Sequence, residues 1–216
     1  MKIFPCRPIV LSSGRALAYS SVGMSNRIDA TFEKLRSNGE KAFVAYVSAG
    51  DPDLDRSLEI MVALAEAGAD ILELGVPFSD PLADGVVNQA AAARALAAGS
   101  DSSRVFELIR RFRRHHEVPV VLFTYLNPVY TYGYSAYHED AARAGVDGIL
   151  LLDLPPDEAA QNCEMADSAG LKQIRLIAPT TPPERIKLLA GQAEGFIYAL
   201  SRTGVTGAHG LSLIHI

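Results

Sequence analysis

Cysteine is scarce in this chain: Cys6 and Cys163 are the two in 216 residues. They show neither metal-ligand spacing nor a disulfide framework, so a reducing cytoplasm is the expected compartment. No apolar run approaches the roughly 20 residues needed to span a bilayer. Positive charge is not in excess either. With 20 Lys and Arg against 25 Asp and Glu, the formal charge is −5, which argues against a general nucleic-acid binder with a basic surface. The histidines, His115, His116, His138, His209 and His215, form no ligand constellation with cysteines or carboxylates, so no metal is expected. No Gly-x-Gly-x-x-Gly follows the first predicted strand, which leaves a dinucleotide-binding fold without its fingerprint.

What is present is regular. Hydrophobic residues make up 49% and charged residues 21%, a globular composition whose length suits one domain. Ile28, Phe32 and Leu35 share a helical face that Gly39 ends, and Ala42 to Val47 is a short apolar strand. Asp53 or Asp55 can cap a helix carrying Leu58, Met61, Val62 and Ala65, and Ile71 to Gly75 is the next strand. The unit recurs. Strands are predicted at Val118 to Thr124, Gly148 to Leu152, Gln173 to Ala178 and Gly195 to Leu200, each after a helical stretch.

Near-continuous apolar strands alternating with helices mean parallel strands covered on the outside. The predicted class is therefore α/β, a TIM (β/α)8 barrel with about six of its eight βα units in residues 24–210. Met1 to Gly23 is expected to be a disordered tail or upstream sequence translated by mistake. Leu211 to Ile216 is expected to be an artefactual tail, matching what a sequencing adapter encodes in frame, on a C-terminally shortened copy.

Glu73 stands out because its strand, Ile71-Leu-Glu-Leu-Gly75, is otherwise wholly apolar. Alternation sends Leu72 and Leu74 toward the helices and Glu73 toward the barrel axis. An ionisable group there is costly unless paired or working. The next loop, Val76 to Gly85, is too long for a routine βα turn. Two prolines stiffen it, and it can hold Asp84 over the pocket mouth, whereas Asp80 alone reads as an ordinary turn aspartate. Ser201 to Gly207 suits a closing lid and lacks the Gly-Lys-Ser/Thr ending of a P-loop. Tyr198, inside the last predicted strand, needs a partner for its hydroxyl if buried. Arg110, Arg111, Arg113 and Arg114 read as a solvated helix end. Asp153 is out of phase with Leu150 and Leu152, so one of those two sets faces the pocket.

The run Leu72-Glu-Leu-Gly-Val-Pro-Phe-Ser-Asp-Pro-Leu-Ala-Asp-Gly85 resembles the signature of the tryptophan synthase α-subunit family. Gly50-Asp-Pro52, Tyr125-x-Asn127-Pro128, Asp153-x-Pro155 and the Ser201 to Gly207 loop add to the resemblance, which covers Met24 to about His209. It implies a lyase of tryptophan biosynthesis that splits indole-3-glycerol phosphate into indole and glyceraldehyde 3-phosphate by acid–base retro-aldol chemistry. An amine-based aldolase would need a strand-end lysine, and Lys172 and Lys187 are elsewhere.

By that resemblance, Glu73 protonates the indole ring carbon and helps remove the glycerol hydroxyl proton. Asp84 holds the indole N–H, and Tyr198 supports Glu73. Tyr46, Phe123, Tyr125, Leu150 and Leu152 line the substrate pocket, and Thr206 and Gly207 belong to the closing loop. Asp80 and Pro77 lie in the loop that communicates with the β subunit of an α2β2 complex. No cofactor is expected in this subunit, pyridoxal phosphate being carried by the β subunit. Val86 follows Gly85 where many relatives have proline. The family's phosphate site follows strands seven and eight, which this sequence does not supply. Two rival readings remain: a catalytically dead fragment that only binds the β subunit, and another phosphate-substrate barrel such as an epimerase or isomerase.

Overall fold

The computed structural model describes residues 2–5, 26–155 and 158–201. The expectations for Thr206, Gly207 and the 211–216 tail, and for residues 6–23 of the N-terminal stretch, lie outside them.

The first helix, α1 (Arg27–Asn38), is capped by Asn26, whose side chain accepts from the Ile28 N–H at 3.0 Å, and it ends at Gly39 in the left-handed conformation. Strand β2 (Val44–Ser48) and helix α2 (Leu54–Glu66) follow, Asp53 capping the helix. Gly50 makes the turn between them at φ +84°. A Cβ there would sit 2.1 Å from the Ser100 hydroxyl, so both the backbone and the space demand glycine.

After β3 (Ile71–Gly75) come two helices, α3 (Val86–Ala97) and α4 (Ser102–Phe112), and after β4 (Val120–Thr124) two more, α5 (Leu126–Tyr132) and α6 (Tyr134–Ala144). β5 (Gly148–Leu151), α7 (Ala160–Ala169), the short strands β6 (Lys172–Gln173) and β7 (Arg175–Ile177), α8 (Pro183–Gln192) and β8 (Phe196–Ala199) complete the order. The strand predicted over 173–178 is thus broken in two. Its first part extends the parallel sheet β2-β3-β4-β5-β6, and its second part pairs parallel with β8. Lys2–Pro5, labelled β1, lies antiparallel on the outer side of β8.

Alternation along the strands creates two cores. Leu72, Leu74, Val120, Leu122 and Ile149 pack outward with α2, α4 and α6. Ile71, Val121, Leu150, Ile174 and Phe196 point inward, together with Ile28 and Phe32 of α1. Helix α1 therefore plugs the N-terminal mouth of the strands. The fit is close: a Cβ on Gly148 would meet Ile28 Cδ1 at 3.0 Å.

Asp147 pins this end. Its carboxylate takes Arg27 Nη1 at 3.0 Å, Arg113 Nη2 at 2.7 Å and the Val120 N–H at 2.8 Å. The Arg113 side chain is accordingly turned inward, with 9% of it exposed, a correction to the reading of the arginine cluster as a solvated face. It also donates to the carbonyls of Gly145, His116 and Val118, which compensates the cost of burying a guanidinium. No described helix is long and apolar enough to cross a membrane.

Candidate active site

Glu73 lies on the inner face of β3, opposite Tyr46 of β2 and Val121 of β4 in register. It is 2% exposed, and its Oε1 makes no hydrogen bond among the described residues. Desolvation disfavours the charged form and pushes its pKa up to about 7. Such a group can give and take a proton near neutral pH.

Tyr46, Phe123 and Tyr198 form an aromatic wall at this level. The Tyr46 and Phe123 rings meet edge-on at 5.6 Å, and those of Phe123 and Tyr198 lie 5.9 Å apart. Gly75 makes room for it, since a Cβ there would sit 2.1 Å from the Tyr46 hydroxyl. Burial raises the pKa of Tyr46, and the charges of Asp84 and Glu73 add to the shift. Tyr198 is pushed up to about 12, first by burial and then by Glu73 and Tyr46. Both phenols stay protonated at neutral pH and can act as donors. Leu150 and Leu152 belong to the inner cluster with Phe123 and Tyr198, which settles the phase question at β5. Asp153 instead accepts from the Leu126 N–H at 2.7 Å and anchors the start of α5.

Asp84 is held from the side by Tyr125, at the end of β4. The Tyr125 hydroxyl donates to Asp84 Oδ2 at 2.8 Å and accepts from the Ala83 N–H at 2.9 Å. Burial first, and then the bond to Asp84, drives its pKa far above the usual phenol value. Asn88, on the first turns of α3, reaches Asp84 Oδ1 at 3.5 Å. The long loop is thus clamped by a strand-end tyrosine at its C-terminal half. The signal for this clamp, a tyrosine following Thr124, is in the sequence, but its partner is not readable from spacing. The cleft between Tyr46, Gly75, Asp84, Phe123 and Tyr125 encloses about 10 Å3.

Two expectations for a partner-facing loop separate here. Asp80 is exposed at the tip, whereas Pro77 is buried at the loop's root. Beside Asp80 the surface is unexpectedly apolar, with Leu82 at 86%, Val86 at 69% and Val87 at 65% exposure. Lys172 opens β6 at the opposite end of the strands, where it pairs with Asp29. Among the described residues no three His, Cys, Asp or Glu side chains gather as a metal site.

Comparison with known proteins places these features. The sequence profile of the family described as "Tryptophan synthase alpha chain" matches residues 32–214. The tryptophan synthase alpha chain of Desulfatibacillum aliphaticivorans is 49% identical over 181 residues, covering 84% of this chain and 68% of the relative. That of Desulfosudis oleivorans is also 49% identical, over 193 residues, covering 88% and 72%. Among solved structures, the tryptophan synthase subunit alpha of Legionella pneumophila superposes with a TM-score of 0.80 at 44% identity, covering 82% of this chain and 68% of that one. A chain from the tryptophan synthase α2β2 complex of Pyrococcus furiosus gives 0.71 at 42% identity, covering 73% and 67%. Since the profile spans β2 to β8 and the intervening Glu73 to Asp84 segment, the chain belongs to the tryptophan synthase alpha chain family.

Proposed function

We propose that this chain catalyses the α reaction of tryptophan synthase, the retro-aldol cleavage of indole-3-glycerol phosphate to indole and glyceraldehyde 3-phosphate. The observation that carries the reading is Glu73, a buried carboxyl at a pKa of about 7, set in an apolar and aromatic pocket. Protonated, it delivers a proton to the ring carbon that bears the glycerol chain, which makes that carbon a leaving centre. The resulting positive charge on the ring nitrogen is met by Asp84, which Tyr125 holds in place at 2.8 Å. The Glu73 carboxylate then accepts the proton of the adjacent glycerol hydroxyl. The carbon–carbon bond breaks, its electrons return to the ring, and an aldehyde forms. One carboxyl thus serves as acid and then base, which a pKa near the working pH allows.

Tyr198 supports Glu73, and Tyr46, Phe123, Leu150 and Leu152 supply the apolar walls for the ring. The enclosed space, about 10 Å3, holds no more than one water. The aromatic side chains therefore rotate to admit the ring. Thr206 and Gly207 are assigned to the closing loop. The chemistry rests on this chain's own side chains, pyridoxal phosphate belonging to a β subunit that receives the indole. Asp80 and the apolar set Leu82, Val86 and Val87 form the docking edge for that subunit in an α2β2 assembly, with Pro77 stiffening the loop beneath. A cytoplasmic location suits this biosynthetic role.

Glu73→Gln tests the mechanism. Indole release, measured with and without added β subunit, should fall by at least about 100-fold, the usual range for removing a general acid–base group. Near-full activity in the variant would overturn the assignment. Activity that appears in neither protein, while β-subunit turnover is still stimulated, would favour the binding-partner reading.

A further inference from the structure

On the outer side of the strands, away from Glu73, a cavity of about 440 Å3 opens between α7, the β6–β7 strand and the turn that follows α8. That is a volume in the range of small-molecule sites. Its floor is polar, although it lies between a sheet and two helices. Arg175 is 8% exposed and Gln173 4%. Arg175 Nη2 donates to Cys163 Sγ at 2.8 Å, yet its Nε makes no hydrogen bond among the described residues, and neither does the Gln173 Nε2. Gln173 is held from behind, its Oε1 accepting from Asn162 at 2.9 Å. Both N–H groups are shut off from water, so an acceptor reaches them when the Arg175 and Gln173 side chains turn toward the cavity, and it then relieves the cost of leaving them unpaired.

The rim has the opposite character. Asp167, on the last turn of α7, is exposed, and Glu194, before β8, is half-buried. Glu194 accepts from the Gln173 N–H at 3.3 Å, while its other oxygen lies 3.9 Å from Lys172 Nζ. Asp167 feels both Lys172 and Arg175. A plain anion would meet the donors at the floor but pass two carboxylates on its way. A ligand with an anionic end and a cationic end satisfies both layers.

We propose that this cavity is a binding site for a small zwitterion of the amino-acid class, its carboxylate on Arg175 and Gln173 and its ammonium on Asp167 and Glu194. The wall between the two layers is formed by Ala160 and other small residues, which leaves room for a side chain of moderate size. The site is independent of the Glu73 chemistry.

Titration calorimetry on the full chain tests the assignment with three probes of one shape. L-valine carries both charges, isovalerate only the carboxylate and isobutylamine only the ammonium. L-valine is expected to bind at least tenfold tighter than either. Arg175→Gln should remove that binding. Asp167→Asn, at an exposed position, should weaken L-valine about tenfold while leaving isovalerate unchanged, and it keeps the test valid if the Arg175 variant misfolds by circular dichroism. No saturable L-valine binding, isovalerate binding as tightly as L-valine, or Asp167→Asn binding L-valine like the parent chain would each overturn the proposal.

Discussion

Glu73 imposes a cost on the fold that its chemistry explains. A carboxyl that titrates near 4.5 in the unfolded chain and at about 7 in the fold is neutral in the native state over a range where the unfolded chain has already ionised. The native state therefore binds more protons between those two values, and stability falls as pH rises through that window, then levels off above it. With 1.36 kcal/mol per pKa unit, the loss is on the order of 3 kcal/mol. Glu73→Gln removes the titration. Urea unfolding of both proteins at pH 4 and pH 8 is expected to show a gap that widens toward pH 8, in favour of the variant. Equal gaps at the two pH values would mean that Glu73 titrates normally. The same substitution that abolishes the proposed catalysis should thus stabilise the protein, as expected for a group kept for function.

At the scale of elements, the N-terminal ends of the strands are fixed by Asp147. Burial pushes the Asp147 carboxyl up and the Arg113 guanidinium down, against the pull each exerts on the other. The pair gains little net energy by existing, but losing Arg113 leaves the buried Asp147 carboxylate with Arg27 and the Val120 N–H alone. Arg113→Met is expected to cost about 3 kcal/mol. Arg111→Met, which removes a pair to the largely exposed Asp55, should cost about 0.5 kcal/mol. Chemical denaturation separates these, and similar losses would show that the two arginines are alike. The sequence places all four arginines at one helix end and cannot say which turns inward, because the partner, Asp147, lies 34 residues away. The strands and the inward phase of Glu73 were legible because alternation and burial on both faces leave a local pattern. Helix α3 was not read. Its run of alanines has a weak apolar periodicity, and its helix preference resides in alanine's propensity instead. Helix α5 was hidden by Pro128, tolerated because it falls in the first turn. The pairing of Tyr125 with Asp84, 41 residues apart, and the Arg175 cavity depend on long-range packing that spacing does not reveal.

For the molecule as a whole, the loop that carries Asp84 faces two ways. One side is tied through Tyr125 to the proposed catalytic pocket, and the other exposes Leu82, with Val86 and Val87 exposed where α3 begins. Single exposed apolar residues are ordinary, but three within six residues, at the end of a clamped loop and the start of a helix, offer a surface that a partner can cover. Docking there would press on the segment that sets the Asp84 position, which offers a physical route from partner binding to the reaction. Leu82→Asp places a charge at the most exposed of the three. It should leave the unfolding midpoint of the isolated chain nearly unchanged, as surface substitutions usually do within about 0.5 kcal/mol. Its affinity for the β subunit, read by calorimetry, should drop at least tenfold, and stimulation of indole release should be lost in proportion. If the affinity falls and stimulation at saturating β subunit is retained, the loop docks the partner without transmitting to Asp84. If neither changes, the docking edge lies elsewhere on the chain and the exposed apolar set has another use.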